Sequence, residues 1–402
     1  MKIFEIGTGY TSIPAKIGAA TEIVVEELTT SMQKEGEDVT ILDIKDKDRA
    51  SNNLPIKEVY MPHFFVSTDT SLGVLHKAKR VLYSISLTST LKKIIKKNGG
   101  ETIWLHFHNQ YNLFFFLKLT PISLRSRVKI AYTVHSHAWF GEWSKIEDTI
   151  KKRYFQEVVC CQNADKVFVL NDICAKHLIN HCDVSPDKVI KIINGVNVSK
   201  YNNEAVDESD RQSFIDKFNL KDKRLLFQVG SVCDRKNQLG TLKLLTSALK
   251  KDSTLVFGFA GGLIDSQYLD EIKETARFEN ISNQVIYLGE VSPGKELNVI
   301  YSTAIATFMN SRSEAFALVM AESLAAETPV FINSSIMNSL PFLKEKIGNG
   351  VLGIDDDFQE ELNRLLTDNE YYKDLQKKGR SFIVNEYSWD KATYDYLFYF
   401  KN

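Results

Sequence analysis

Short apolar runs alternate with longer amphipathic segments along this chain, and the series occurs twice. In the first series Lys2–Ile6, Val39–Leu42, Glu58–Met61, Thr102–Phe107, Val128–Val134 and Lys166–Leu170 read as strands. Helical patterns cover 21–34, 75–97, 147–163 and 172–181. Such alternation predicts parallel βαβ units, because a parallel pair needs a crossover long enough to hold a helix. A pause follows: Asn194-Gly195-Val196 is a turn signal, and 202–223 is polar and charge-rich. The pattern then restarts, with a strand at Leu225–Val229, a helix over 238–249, and strands at Leu255–Phe259, Val285–Leu288, Ile305–Phe308 and Pro329–Ile332. The expected fold is α/β, with two doubly wound, Rossmann-like domains. Ligands of such sheets bind beyond the carboxyl ends of the strands, so two domains facing each other would form a cleft.

Composition excludes several classes. Apolar residues at 44% and charged residues at 25% are globular values. Fifty basic against fifty-one acidic side chains, a net charge of −1, speak against a nucleic-acid binder. Five cysteines without C-x-x-C spacing suggest reduced thiols rather than a disulfide framework or a zinc site. The N-terminal apolar run is short and contains Glu5, unlike a signal peptide, and no run reaches the ~18 apolar residues of a spanning helix. A cytoplasmic protein, soluble or peripheral on the inner face of the plasma membrane, is expected. Residues 71–129 carry eleven basic side chains and one acid, Glu101. Within them 75–97 reads as a basic amphipathic helix, built on Lys77, Lys79, Arg80, Lys92, Lys93, Lys96 and Lys97, with apolar positions at Val74, Leu75, Ala78, Val81, Leu82, Ile85, Leu91, Ile94 and Ile95. Such a helix can lie on anionic lipid, although an ordinary surface helix has the same pattern.

Three strand-to-helix turns carry residues suited to a phosphorylated ligand. The segment from Ser311 to Ala326 places Glu314 and Glu322 eight residues apart, about 12 Å if both lie on one helix. Free N–H groups of a first helical turn suit an anion. In Gly230-Ser231-Val232-Cys233-Asp234-Arg235-Lys236, the glycine permits a tight turn, and Arg235 and Lys236 bring positive charge. The small residues Gly18, Ala19 and Ala20 precede the first helix. Histidines gather at His106-Phe107-His108 and His135-Ser136-His137. Alternation puts His106 and His108 on one face of a strand. With no carboxylate or cysteine beside them at ligand spacing, they read as ligand-bonding or packed histidines rather than a metal site. Asp46-Lys47-Asp48 and Asp355-Asp356-Asp357 read as a charged loop and a helix cap.

In order and spacing these segments resemble the retaining, two-domain family 4 glycosyltransferases of the GT-B fold, over essentially the whole chain. Glu314–Glu322 is similar to their E-x7-E element, Gly230–Lys236 to their phosphate-binding loop, and Thr133-Val134-His135 to their strand-end histidine. The resemblance implies a hexosyltransferase-like enzyme that moves sugar from a nucleoside-diphosphate sugar, UDP-sugar favoured, to a glycan or lipid-linked acceptor. It implies residues 1–198 with a returning helix over 386–402 as the acceptor-side domain, and 199–385 as the nucleotide-sugar domain. Lys236 and Arg235 would bind diphosphate at the Gly230 turn. Glu322 would hold the ribose. Glu314 and the backbone of Phe316 and Ala317 would hold the transferred sugar, and Leu318 and Val319 would offer N–H groups to phosphate. His135 and the Gly18–Ala20 loop would close the site from the first domain. His135, Glu314 and Lys236 are the expected catalytic set, with no metal and no cofactor beyond the donor. The chain departs from the pattern at Ala19-Ala20, where Gly-Gly is usual, at Ser231, where Arg is common, and at Glu327, where Gly is common. These departures motivate an alternative, a catalytically silent homologue that binds a partner glycosyltransferase in protein glycosylation. A sugar-nucleotide epimerase would need a carboxylate-rich cleft that the sequence does not display.

Overall fold

In each sheet the first strand the chain makes ends up in the interior, and later strands are added on both sides. The computed structural model describes residues 1–15, 19–49, 52–61, 74–139, 141–314 and 318–402. The first sheet contains β1 (Lys2–Ile6), β2 (Asp38–Ile44), β3 (Ile56–Val59), β4 (Ile103–Phe107), β5 (Lys129–Val134), β6 (Lys166–Val169) and β7 (Val189–Lys191), in the order β3-β2-β1-β4-β5-β6-β7. The second contains β8 (Arg224–Val229), β9 (Leu255–Ala260), β10 (Val285–Tyr287), β11 (Ala304–Met309), β12 (Val330–Asn333) and β13 (Val351–Ile354), in the order β10-β9-β8-β11-β12-β13. Every pairing within the two sheets is parallel. Connections turn in opposite directions on the two sides of β1/β4 and of β8/β11, so each domain has its switch point there, where doubly wound sheets open a crevice for ligands.

The chain divides into two compact units, Met1–Asn194 with Trp389–Asn402, and Gly195–Ser388. The helix Trp389–Lys401 thus belongs with the first sheet. Trp104 of β4 donates from Nε1 to the Phe400 carbonyl at 2.9 Å, and Phe168 of β6 meets Tyr396 edge-on at 4.7 Å. Amphipathic spacing builds the layers: Val24, Val25, Leu28 and Met32 are buried along Ala20–Lys34, and Leu242, Leu245 and Leu249 along Gln238–Lys251.

Several elements differ from the sequence expectations. The strand expected at Glu58–Met61 is Ile56–Val59. The pattern at 147–163 resolves into two helices, Trp143–Arg153 and Phe155–Asn163, that meet at Tyr154. Gln110–Leu119 is a helix whose run of phenylalanines hides the helical period; Asn109 caps it, accepting from Tyr111 N at 2.9 Å. Along the helix Val74–Lys97, Lys79 is buried and donates to the Tyr10 carbonyl at 2.9 Å, and the Arg80 guanidinium lies over the Tyr10 ring at 4.6 Å. Those two cations serve the fold rather than the outer face. Among the described residues no helix is long and apolar enough to cross a membrane. The five cysteines are free thiols.

Candidate active site

At the switch point of the second sheet, the loops after β8 and β11 are stapled to each other. Gly230 directly follows β8 with φ of 144°, and a Cβ there would meet the Lys236 side chain at 3.0 Å. Glycine therefore lets the lysine stem fold back over the turn. The backbone of Lys236 is tied inward by Gln228, whose Nε2 donates to its carbonyl at 2.6 Å. Arg312 N donates to the Arg235 carbonyl at 2.8 Å, and the Arg312 fork bonds Asp234 at 2.8 and 3.0 Å. Asn237, left-handed at φ 58°, donates from Nδ2 to the Asn310 carbonyl at 3.1 Å.

These ties bring Lys236 Nζ to 2.5 Å from Glu314 Oε1, with both side chains 14% exposed. Arg235 Nη1 lies 3.7 Å from the same oxygen and donates to the Ser313 carbonyl at 3.2 Å. Burial resists ionisation of Glu314, but Lys236, then the Ser311 hydroxyl and Arg235, outweigh it and hold the carboxyl below its ordinary range. The three side chains form a fixed carboxylate with two cations at a strand end.

Glu314 and Glu322 do not share a helix. Glu314 lies in the loop after β11, and the helix is described from Leu318 to Ala325. The 12 Å spacing of a shared helix therefore does not apply to these two glutamates. Glu322 is buried, and its Oε2 accepts from the Tyr301 hydroxyl at 3.0 Å. The backbone after this helix explains one departure. Glu327 is left-handed at φ 64°, and Thr328 N donates to the Ser323 carbonyl at 2.9 Å, which is the six-to-one bond of a Schellman ending. Glycine is the residue such a position favours, and here Glu327 holds it with its carboxylate 3.6 Å from Arg380 Nε.

The switch point of the first sheet holds a different constellation. Glu5 of β1 is the register partner of His106 of β4, and both are fully buried. Glu5 faces His106 Nδ1 at 3.0 Å and His108 Nε2 at 2.7 Å. His106 Nε2 meets Thr133 Oγ1 at 2.7 Å, and His108 Nδ1 meets half-buried His135 Nε2 at 2.9 Å. Burial opposes ionisation of Glu5, yet the two imidazoles lower its carboxyl to about 2. Burial, with His106 beside it, lowers His108 to about 4, and burial keeps His135 well below the ordinary imidazole value. A carboxylate does accompany the histidines, contrary to the sequence reading. It comes from a neighbouring strand a hundred residues away, so no local spacing could reveal it. Glu5, His106 and His108 are the donor types of a cation site, but their facing atoms already match one another as hydrogen-bond partners.

Gly18, and with it Lys16 and Ile17, lies outside the described residues, as do Ala315, Phe316 and Ala317. Ala19 and Ala20 stand at the start of Ala20–Lys34, and Leu318 and Val319 open the helix that carries Glu322. Behind Ala19-Ala20, Glu22 is buried and accepts from the Thr8 hydroxyl; burial raises its carboxyl to about 7. Asp46 is buried and accepts from Ser12 Oγ at 2.6 Å, so the first D-x-D string is structural at that residue. Asp357 stands directly before the helix Phe358–Thr367 without a side-chain capping bond.

Two parallel doubly wound domains, one bearing a lysine–carboxylate pair at its switch point, have the architecture of GT-B glycosyltransferases. Residues 21–200 match the family profile described as Glycosyltransferase Family 4, and residues 210–382 match Glycosyl transferases group 1. The chain belongs to this glycosyltransferase family and is a transferase. It is 23% identical to the alpha-monoglucosyldiacylglycerol synthase of Streptococcus pneumoniae over 350 residues, 85% of this chain and 73% of that protein. Among solved structures, the sucrose-phosphate synthase of Thermosynechococcus elongatus has a TM-score of 0.73 at 19% identity, covering 100% of this chain and 98% of that one. Anabaena HepE in complex with UDP and glucose also gives 0.73, at 12% identity, with 100% of both chains covered.

Proposed function

We propose that the protein is a retaining glycosyltransferase that takes sugar from a nucleoside-diphosphate sugar, UDP-sugar favoured, and passes it to a glycan or lipid-linked acceptor. The observation that carries this reading is the Lys236–Glu314 pair, held by two stapled loops at a switch point. Breaking the anomeric bond leaves a diphosphate of growing negative charge. Lys236, Arg235 and the N–H groups of Leu318 and Val319 stabilise it with no metal. Diphosphate then draws Lys236 from Glu314, which is left to bond hydroxyls of the transferred sugar. Glu322 takes the ribose, with Tyr301 orienting its carboxylate. His135 serves substrate hydroxyls at the carboxyl end of the first sheet, and the leaving phosphate helps to take the acceptor proton.

UDP is favoured because HepE is described with UDP and glucose, and a lipid-linked acceptor because the streptococcal relative is named for a glucosyldiacylglycerol product. The outer face of Val74–Lys97 supports a peripheral membrane role: Val81, Leu82 and Ile85 are exposed together, with exposed Lys77, Lys93, Lys96 and Lys97 on the same helix. A panel of UDP-, GDP- and ADP-sugars tests the donor. The matching donor raises the melting temperature by mass action and releases its nucleoside diphosphate when acceptor is added. Failure of every donor to bind or turn over would leave the silent, partner-binding homologue in its place.

A further inference from the structure

We propose that Glu5 is a positioning residue that acts through His108 to fix the tautomer of His135, with the proton on Nε2 and the lone pair of Nδ1 presented to substrate. The tautomer follows from the structure alone; only the identity of the substrate hydroxyl rests on the glycosyl-transfer reading.

An ionised carboxylate only accepts, so each ring nitrogen facing Glu5 carries a proton. At 2.7 Å that proton is on His108 Nε2. A buried imidazole resists a second proton, which leaves His108 Nδ1 bare. The atom 2.9 Å from it is His135 Nε2, which must donate. His135, neutral by the same argument, then has a bare Nδ1. Among the described residues nothing bonds that atom. The other oxygen of Glu5 takes the proton of His106 Nδ1. His106 Nε2 lies 2.7 Å from Thr133 Oγ1, and the Tyr396 hydroxyl lies 3.5 Å from that oxygen. Two imidazoles thus converge on one buried carboxylate. The low acid constant of Glu5, about 2, keeps that sink ionised throughout the working range.

The consequence is directional. His135 accepts a hydrogen bond from a hydroxyl and rejects an atom that can only accept, such as an ether oxygen.

Long-range proton–nitrogen NMR of the full chain labelled with 15N-histidine, at pH 7, reads the tautomers directly. The expected spectrum shows His108 and His135 protonated on Nε2 alone. A proton on Nδ1 of His135, or on both its nitrogens, would overturn the proposal, as would one equivalent of tightly bound metal in the purified protein. Kinetics provide the second arm. Glu5→Gln is expected to lower kcat about tenfold or more while moving donor KM less than about twofold. In a His135→Ala background the same change is expected to add less than about twofold, since residues acting as one unit are not additive. An equal loss in both backgrounds would mean that Glu5 serves only packing. Absence of sugar transfer by the unmodified chain would refute the glycosyl-transfer reading, while the spectrum would still decide the tautomer.

Discussion

Lys236 and Glu314 stand 78 positions apart in the sequence, yet their charged atoms lie 2.5 Å from each other. The lysine helps to hold the carboxyl of Glu314 below its ordinary range, and a diphosphate donor is expected to compete for that lysine. Replacing Lys236 by Ala is expected to lower the rate of transfer by about 10²–10³-fold, the usual loss when a donor aimed at developing charge is removed. Circular dichroism should be unchanged. Near-normal turnover would take Lys236 out of the site.

Glu22 gives a pH signature. Burial raises its carboxyl from 4.5 to about 7, so between those values the folded protein holds a proton that the unfolded chain releases. Stability from this group is complete below pH 4.5 and is lost as pH rises through 7. Asp43, raised from 3.8 to about 6, behaves alike. Glu22→Gln should therefore raise the melting temperature more at pH 8 than at pH 4. Equal gains at both pH values would clear the carboxyl of this role.

Glu327→Gly should stabilise the second domain. A left-handed residue with a Cβ costs roughly 1–2 kcal/mol, and the half-exposed Arg380 contact it would lose is worth less than ~1 kcal/mol. Denaturant titration should move the midpoint upward. A downward shift would show that the Arg380 pair outweighs the backbone.

The helix Val74–Lys97 is expected to bind vesicles containing phosphatidylglycerol in a salt-sensitive way, and neutral vesicles not at all. Changing Val81, Leu82 and Ile85 to Ser, or Lys93, Lys96 and Lys97 to Ser, should each weaken sedimentation without altering donor binding. Lys79 is left out because it is buried. No sedimentation at low salt would point to a soluble acceptor.

Transfer should persist in EDTA, since the proposed charge stabilisation comes from Lys236, Arg235 and backbone N–H groups. Loss of activity restored only by Mg²⁺ or Mn²⁺ would replace that account with a metal-assisted one.

The architecture was legible because parallel strands buried on both faces read as apolar runs, and β1, β4 and β5 announce themselves that way. The residues of the Gly230–Lys236 turn were legible too, since a turn, a glycine and two cations are local. The network under β1 was not. Glu5 sits in an otherwise apolar strand and looks like a solvated interruption until register sets it opposite His106. Lys79 misled in the opposite sense: its helix pattern says surface, but the Tyr10 carbonyl holds it inside. Glu327 could be noted as unusual from sequence, but its reason is a dihedral angle.

The helix Trp389–Lys401 reverses the order in which this protein can be finished. Domains commonly fold as they leave the ribosome, N-terminal first. Here the unit Gly195–Ser388 is contiguous and has all its residues once Ser388 has emerged, whereas the unit that contains Met1–Asn194 waits for 389–402 to supply Phe400 to Trp104 and Tyr396 to Phe168. A ribosome that stalls before 389–402 emerges leaves a nascent chain whose second unit is whole and whose first unit is missing a wall. The emergence of 389–402 thus doubles as the closing step of the first domain.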